Sequence, residues 1–112
     1  MSVSYEGIGY LAVTLPNRNC TAGQLCTLNL SGQGVNAGDG EAFLGVVEAV
    51  NGKKMAVQIE GFVTLKYSGS APGLGFAKLS SNGNGGVRVD NAGREYLVLE
   101  CNNDTSTVIM KL

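Results

Sequence analysis

The sequence predicts an all-β chain, folded as a small single-domain β-barrel or sandwich of short antiparallel strands with glycine-rich loops. No segment of its 112 residues has a convincing helical period. Short runs rich in β-branched and aromatic residues recur, with turn residues between them. The 17 glycines against two prolines indicate many turns and bulges. With neither an internal repeat nor a linker, residues 1–112 are interpreted as one domain, in which residues 1–9 are a candidate extended N-terminal arm.

Nine strands are predicted in chain order. They lie near residues 10–15, 24–30, 43–50, 53–60, 62–67, 76–79, 86–90, 95–101 and 106–112. Three polar or glycine-rich stretches between them, residues 31–41, 68–75 and 80–86, are predicted to be exposed loops. The seven aromatic residues are expected to pack in the core; they are Tyr5, Tyr10, Tyr67, Tyr96, Phe43, Phe62 and Phe76.

Asn51-Gly52 is the clearest turn signal, because Asn-Gly is the preferred central pair of a type I′ turn. It predicts a two-residue hairpin that pairs residue 50 with residue 53. In the second arm three apolar residues alternate with three polar ones: Met55, Val57 and Ile59 with Lys54, Gln58 and Glu60. The apolar set is expected to face a core and the polar set solvent or a partner. Gly61 interrupts this pattern, which predicts a bulge or sharp bend.

A second hairpin is predicted from residues 86–90 and 95–101, which flank the polar turn at residues 91–94. In residues 95–101 one face carries Leu97, Leu99 and Cys101, and the other carries Tyr96, Val98 and Glu100. Residues 102–104 then turn into the strand near residues 106–112. The last three strands are therefore predicted to form a meander.

Catalytic chemistry finds little support in the composition. The chain has no histidine, which excludes Ser-His-Asp and Cys-His centres within one chain. The sequence contains no CxxC pair, which is the usual signal of a zinc site. No two carboxylates have the placement of a glycosidase pair. We therefore predict that the protein is not an enzyme and has no catalytic, cofactor-binding or metal-binding residues.

The three cysteines, Cys20, Cys26 and Cys101, cannot all pair within one chain. Residues 1–9 lack the features of a secretory signal, so reduced thiols in a cytoplasmic protein are expected. A disulfide between Cys20 and Cys26 is the alternative if the protein meets an oxidising environment.

Charge is sparse and scattered. Eight basic and nine acidic residues give a net charge of -1. No basic stripe is present to neutralise phosphates, so nucleic acid is not an expected partner. No polybasic arm or long apolar run is present either, so no membrane attachment is expected.

Five segments carry a family resemblance: residues 22–26, 43–50, 55–63, 86–89 and 107–112. The strongest part is GVVEAV at residues 45–50, followed by AVQIEGFVTL at residues 56–65. In this order the segments resemble the small capsid decoration, or cement, proteins of tailed bacteriophages and prophages. The resemblance covers roughly residues 22–112 by pattern and includes no catalytic motif.

The resemblance implies a homotrimer on the outer surface of the capsid, bound to the major capsid protein, without enzymatic activity. The protein would be made in the cytoplasm of the bacterial host and reside in the virion. An N-terminal segment often contributes to the capsid contact, which here implies Ser2, Val3, Ser4, Tyr5 and Glu6. The arm at residues 1–9 is expected to add to an exposed strand of the shell. The alternatives are another virion module (tail, baseplate or fibre attachment) and a soluble ligand-binding β-barrel.

Overall fold

The computed structural model describes residues 10–112, which contain ten strands and no helix. The strands are β1 (Leu11–Pro16), β2 (Leu25–Leu28), β3 (Gly34–Asn36), β4 (Gly45–Asn51), β5 (Lys54–Glu60), β6 (Phe62–Ser68), β7 (Gly75–Ser81), β8 (Val87–Val89), β9 (Arg94–Asn102) and β10 (Thr107–Lys111). The predicted all-β class is confirmed. The part of the chain that the structure describes has no helix that could span a lipid bilayer.

The strands divide between two sheets at one point in the sequence. The first five form an open sheet in the order β1-β5-β4-β2-β3, and the last five form a closed barrel in the order β10-β6-β8-β7-β9. The pairs are antiparallel except β6 and β8, which run parallel. This parallel pair differs from the predicted antiparallel pattern, and it arises because β8 inserts between β6 and β7 instead of following its neighbour in sequence.

Gly61 is the residue at which the chain leaves the open sheet and enters the barrel. It is buried and has a φ of 104°, a conformation that a residue with a Cβ adopts only under strain. Its carbonyl accepts a hydrogen bond from the backbone N–H of Leu112 at 2.9 Å. The bend predicted at Gly61 is therefore confirmed.

Buried side chains form two cores. The larger fills the barrel and extends to the face of the open sheet that packs on it; its buried members are Leu25, Ala37, Phe43, Val63, Leu65, Leu79, Val87, Tyr96, Val98, Val108 and Met110. The smaller lies on the other face of the open sheet and contains Cys20, Cys26, Val47, Met55 and Val57. The open sheet curls round the smaller core, because a parallel bridge between Asn17 and Gly34 brings the chain just after β1 against β3.

The hairpin of β4 and β5 is present, with its register one residue away from the prediction. Asn51 pairs with Lys54 and Val50 with Met55, so Gly52 and Lys53 are the central turn residues. Gly52 has a φ of 63° and Lys53 is not in the positive region, which is the φ pattern of a type II′ turn. Glycine at the first central position suits that turn as well as Asn-Gly suits type I′, so the sequence alone does not distinguish them.

The alternation predicted for β5 is confirmed for its apolar face and wrong at one polar position. Met55 and Val57 are buried in the smaller core, with Ile59 packed against it. Gln58 is only 8% exposed. Its amide donates to the carbonyls of Glu60 at 3.1 Å and Phe62 at 3.4 Å, which satisfies it beside the Gly61 bend.

The hairpin predicted from residues 86–90 and 95–101 is wrong. β8 pairs with β7 and β6, whereas β9 pairs with β7 and β10. β7 thus separates the two strands, and only β9 and β10 form the expected hairpin. A register shift opposite Ile109 and Met110 leaves Leu99 as an extra residue, so Cys101 lies opposite the buried Val108 and not on the face of Leu97.

All three predicted exposed loops contain strand residues or buried residues. In residues 68–75, Ser68 ends β6, Gly75 begins β7 and Pro72 is buried. Residues 31–41 contain β3 and the buried Ala37. Residues 80–86 begin with buried Ser80 and Ser81, which still belong to β7. The Ser81 hydroxyl donates to the Ala37 carbonyl at 2.9 Å, so these two segments hold each other in place.

Candidate protein-interaction surface

Titratable groups offer no metal centre in the described part of the chain. Within residues 10–112 no group of three or more His, Cys, Asp or Glu side chains could hold a metal ion. The main polar cluster centres on Arg88, whose guanidinium contacts Asp39 at 2.8 Å and Asp90 at 3.7 Å. This cluster joins the loop before β4 to the barrel, so we assign it a structural role.

Asp90 is held as a carboxylate by hydrogen bonds. The backbone N–H of Ala92 and the Ser80 hydroxyl each donate to it at 2.9 Å. Together with the charge of Arg88, these donors lower the pKa of Asp90 below its ordinary value of 3.8. A carboxyl group whose pKa is depressed in the folded protein stabilises the fold above its ordinary pKa, and this stabilisation is lost as the pH falls. Such behaviour is that of a structural contact and not of an acid catalyst.

The three thiols are free. Cys20 and Cys26 are buried side by side in the smaller core, and burial raises the pKa of Cys26 to about 12, with the neighbouring Cys20 adding to the shift. Asn17 fixes the backbone of Cys20: its side-chain oxygen accepts from the Cys20 N–H at 2.8 Å. Protonated thiols in an apolar core pack as small hydrophobic residues and are poor nucleophiles.

An exposed apolar surface lies on the outside of the barrel, and we call it the barrel apolar surface. It consists of Leu74, Phe76, Leu97 and Leu99. Phe76 is 72% and Leu74 is 69% exposed, whereas Leu97 and Leu99 are half-buried. Phe76 on β7 pairs directly with Leu97 on β9, so their side chains lie next to each other on the outer face.

An open groove of about 870 Å³ continues this surface. Leu74 and Leu99 line its apolar side, and the turn between β9 and β10 lines its polar side with Asn102, Asn103 and Asp104. An apolar patch that passes into a polar border is the arrangement found in protein–protein interfaces.

The polar side of the groove is held in a fixed shape. The side-chain oxygen of Asn102 accepts from the backbone N–H of Asp104 at 2.9 Å. The side-chain oxygen of Asn103 accepts from the Tyr67 hydroxyl at 2.8 Å, which ties the turn to β6. A surface that is already ordered loses little conformational entropy when a partner binds.

The barrel apolar surface was not predicted from the sequence. Phe76 was expected in the core with the other aromatic residues, and that expectation is wrong, as it is for Tyr10, which is 49% exposed. The side chains that alternate with Phe76 on β7 fill the barrel, as the buried Leu79 shows. Only the closure of the barrel decides which of the two faces is inside, and closure depends on strands far apart in sequence.

The predicted capsid-contact residues, Ser2, Val3, Ser4, Tyr5 and Glu6, lie outside the described residues, as does the whole candidate arm at residues 1–9. Their role stays a prediction.

Comparison of the chain with protein-family models, curated proteins and solved structures gave no match.

Proposed function

We propose that this chain is a capsid decoration protein that binds the major capsid protein on the outer surface of a phage shell and stabilises the shell. The observation that carries the proposal is the barrel apolar surface, an exposed patch that contains the aromatic side chain of Phe76. The sequence pattern described above supplies the class of partner, and the patch supplies a place to bind it.

Phe76 and Leu74 are the expected anchors of this contact. Exposed aromatic residues that become buried at an interface carry a large share of its binding energy. The half-buried Leu97 and Leu99 beside them add apolar area without needing to reorder. The Asn102–Asp104 turn offers hydrogen-bonding groups at the border of the patch.

The interior of the barrel favours a structural role over the binding of a small ligand inside it. Its buried residues, among them Leu65, Leu79, Val98, Val108 and Met110, belong to one packed cluster. A small closed barrel of this kind is filled by its own side chains. A ligand would therefore have to bind outside, where the largest exposed apolar side chains suit a protein partner.

A shell repeats the same contact many times. Each copy that binds only the assembled shell stabilises that state by mass action, so a modest contact per copy has a large total effect. A rigid β-barrel with a net charge of -1 adds little electrostatic repulsion between neighbouring copies.

The test is co-sedimentation of the purified protein with expanded and unexpanded shells of its source phage. We expect saturable binding to expanded shells at a fixed ratio to the major capsid protein. Phe76→Asp should weaken this binding about tenfold or more, because a carboxylate replaces a buried aromatic anchor. Leu30→Asp is the matched control, since Leu30 is fully exposed at the β2–β3 turn, outside the barrel apolar surface, and its loss should leave binding unchanged.

Two results would contradict the proposal. Absence of binding to either shell, with the protein found on tails, would favour a tail, baseplate or fibre-attachment module. Shell binding that Phe76→Asp leaves intact would mean that another surface, such as the predicted N-terminal contact, holds the protein on the shell.

A further inference from the structure

Three asparagines in the described turns are each followed directly by glycine, at Asn51-Gly52, Asn82-Gly83 and Asn84-Gly85. In this dipeptide the glycine nitrogen can attack the side-chain amide carbon of the asparagine, because glycine has no Cβ to hinder the approach. The attack forms a cyclic succinimide and ends in loss of the amide group. All three glycines have a positive φ, so the glycine conformation does not distinguish the pairs. Any difference in their reactivity must come from the hydrogen bonds around them.

The side chain of Asn82 is half-buried and held by hydrogen bonds. Its oxygen accepts from the backbone N–H of Asn84 at 2.8 Å and from that of Gly86 at 3.1 Å. Its nitrogen donates to the Ser68 hydroxyl at 3.2 Å. The Asn82 backbone N–H also donates to the Gly86 carbonyl at 2.9 Å. Turning this side chain towards the Gly83 nitrogen would break the bonds that its amide makes.

The nitrogen that would attack Asn82 is also engaged. The Gly83 N–H donates to the Ser81 hydroxyl at 3.1 Å, and this hydroxyl donates to the Ala37 carbonyl at 2.9 Å. Ser81 is buried, so water does not readily replace it as the partner of the Gly83 N–H. The attack requires loss of that proton, which a hydrogen bond to a buried acceptor hinders. Both reacting groups of this pair are therefore protected.

Asn51 combines a free side chain with a fixed backbone. The side chain is exposed and has no hydrogen bond to any residue from 10 to 112. However, Asn51 ends β4 and pairs with Lys54 across the two-residue turn. The turn is also held from outside, because the Asn17 N–H donates to the Lys53 carbonyl at 2.7 Å. Ring closure rotates the bond between Cα and the carbonyl carbon of Asn51, which would break the pairing with Lys54.

Asn84 combines a free side chain with a free neighbouring nitrogen. It is exposed in the loop between β7 and β8. Among the described residues its side chain has no hydrogen-bond partner, and neither has the Gly85 N–H. The Asn84 backbone N–H donates to Asn82, whereas the Asn84 carbonyl accepts no hydrogen bond from the same part of the chain. The bond that ring closure rotates is therefore not fixed by a strand ladder.

We propose that Asn84 is a site of spontaneous deamidation, with water as the only co-reactant. The Gly85 nitrogen loses its proton to solvent and attacks Cγ of Asn84, so that a new Cγ–N bond forms. The bond from Cγ to Nδ2 breaks, and the side-chain nitrogen takes up a proton from water and leaves as ammonia. Water then adds to one of the two ring carbonyls and opens the ring. Position 84 becomes an aspartyl residue, or an isoaspartyl residue whose main chain continues through the former side chain.

The product differs from the original chain in charge and in loop length. A carboxylate replaces a neutral amide, which makes the net charge of -1 more negative by one unit. In the isoaspartyl form the main chain gains a carbon atom within the loop that the Asn82 side chain organises. Position 84 is not part of the barrel apolar surface, so the proposal does not depend on the capsid role.

Peptide mapping of aged protein tests the proposal. The full chain is incubated in heavy-oxygen water at neutral and at mildly alkaline pH, then digested with trypsin in ordinary water, so that deamidation during digestion carries no label. Cleavage after Lys78 and Arg88 leaves Asn82 and Asn84 in one peptide, whose fragment masses separate them. We expect label to enter position 84 about tenfold or more faster than position 82, where several hydrogen bonds must break first. Position 51 should lie between them, and the rate at position 84 should rise with pH.

Two controls separate the effect of the fold from that of the sequence. Asn84→Gln keeps an exposed amide, but glutamine would have to form a larger ring and reacts much more slowly, so the label at position 84 should disappear. Anion exchange should show a growing acidic species in the unchanged chain and far less of it in this variant. The chain unfolded in denaturant should take up label at positions 51, 82 and 84 at similar rates, because the same dipeptide is then free at each.

Three outcomes would overturn the proposal. Reaction of position 82 or position 51 as fast as position 84 in the folded protein would show that their hydrogen bonds do not protect them. The same order of rates in the unfolded chain would assign the difference to the sequence and not to the fold. Label at position 84 only after unfolding would mean that the loop between β7 and β8 does not reach the geometry of ring closure.

Discussion

Tyr96 joins the two halves of the molecule at the level of a single side chain. It lies on β9 of the barrel and stacks on Phe43, which precedes β4 of the open sheet, with ring centroids 5.2 Å apart. The Arg94 guanidinium lies 5.4 Å from the centre of the Tyr96 ring. The Tyr96 hydroxyl is buried and has no hydrogen-bond partner among the described residues. The ring therefore contributes packing, whereas the hydroxyl is a buried polar group in apolar surroundings.

Tyr96→Phe should keep the free energy of unfolding unchanged or raise it by up to about 1 kcal/mol, because it removes a buried polar atom that has no partner. Tyr67→Phe is the matched control. It removes a hydroxyl that donates to Asn103 at 2.8 Å, and should lower the free energy of unfolding by about 0.5–1 kcal/mol. Denaturant unfolding of the three proteins measures both changes. A loss of more than about 1 kcal/mol in Tyr96→Phe would mean that its hydroxyl is hydrogen-bonded in solution.

At this scale the sequence predicted burial from alternation better than from residue type. Val108 and Met110 alternate with Ile109 and Lys111, and both are buried as their spacing indicates. The aromatic character of Phe76 predicts a place in the core, and that prediction is wrong, because Phe76 is exposed. Hydrophobicity alone does not identify the inner face of a strand when the outer face also carries apolar residues.

The elements themselves could largely be predicted, whereas their partners were predicted correctly only for the hairpins β4–β5 and β9–β10. The runs of β-branched residues located nine of the ten strands, because alternation and turn residues are local signals. β3 was missed, since three residues within a glycine-rich segment leave no readable pattern. β8 was assigned to the wrong neighbour because a hairpin is the default between adjacent strands, and only barrel closure gives the parallel pair with β6. The barrel apolar surface follows from that closure and was missed with it.

Gly45 at the start of β4 is a position where the packing of two elements requires glycine. A Cβ there would collide with the Gln58 carbonyl on β5 and lie 2.8 Å from Val57 Cγ1. Gly45→Ala should therefore lower the free energy of unfolding by about 1–3 kcal/mol, as overpacking of a rigid site does. Gly73→Ala is the control, because Gly73 has no atom within 4 Å of a Cβ and should change stability by less than about 0.5 kcal/mol.

Thermal or denaturant unfolding distinguishes these two glycine variants. Equal stability of Gly45→Ala and the unchanged chain would show that β4 and β5 can separate to admit a methyl group, contrary to the close packing seen here.

At the scale of the whole molecule, burial divides the cysteines into two classes. Cys20 and Cys26 are inaccessible in the smaller core, and burial raises the pKa of both thiols, whereas Cys101 is partly exposed on β9. We therefore expect one of the three thiols to react with Ellman's reagent in the folded protein and all three after denaturation. Fewer than three reactive thiols in the denatured, unreduced protein would reveal a disulfide. Cys20 and Cys26 would be the pair expected to form it.

The division of the chain at Gly61 has a consequence for the order in which the protein folds. Every strand of the open sheet lies before Gly61, so all five strands have been synthesised once β5 has been made. The barrel is different, because β6, its first strand, pairs with β8 and β10 and must wait for both. Contacts between such distant segments form slowly. We therefore expect the first half of a nascent chain to gain structure early and the barrel to close last, leaving the edges of β6 unpaired during synthesis.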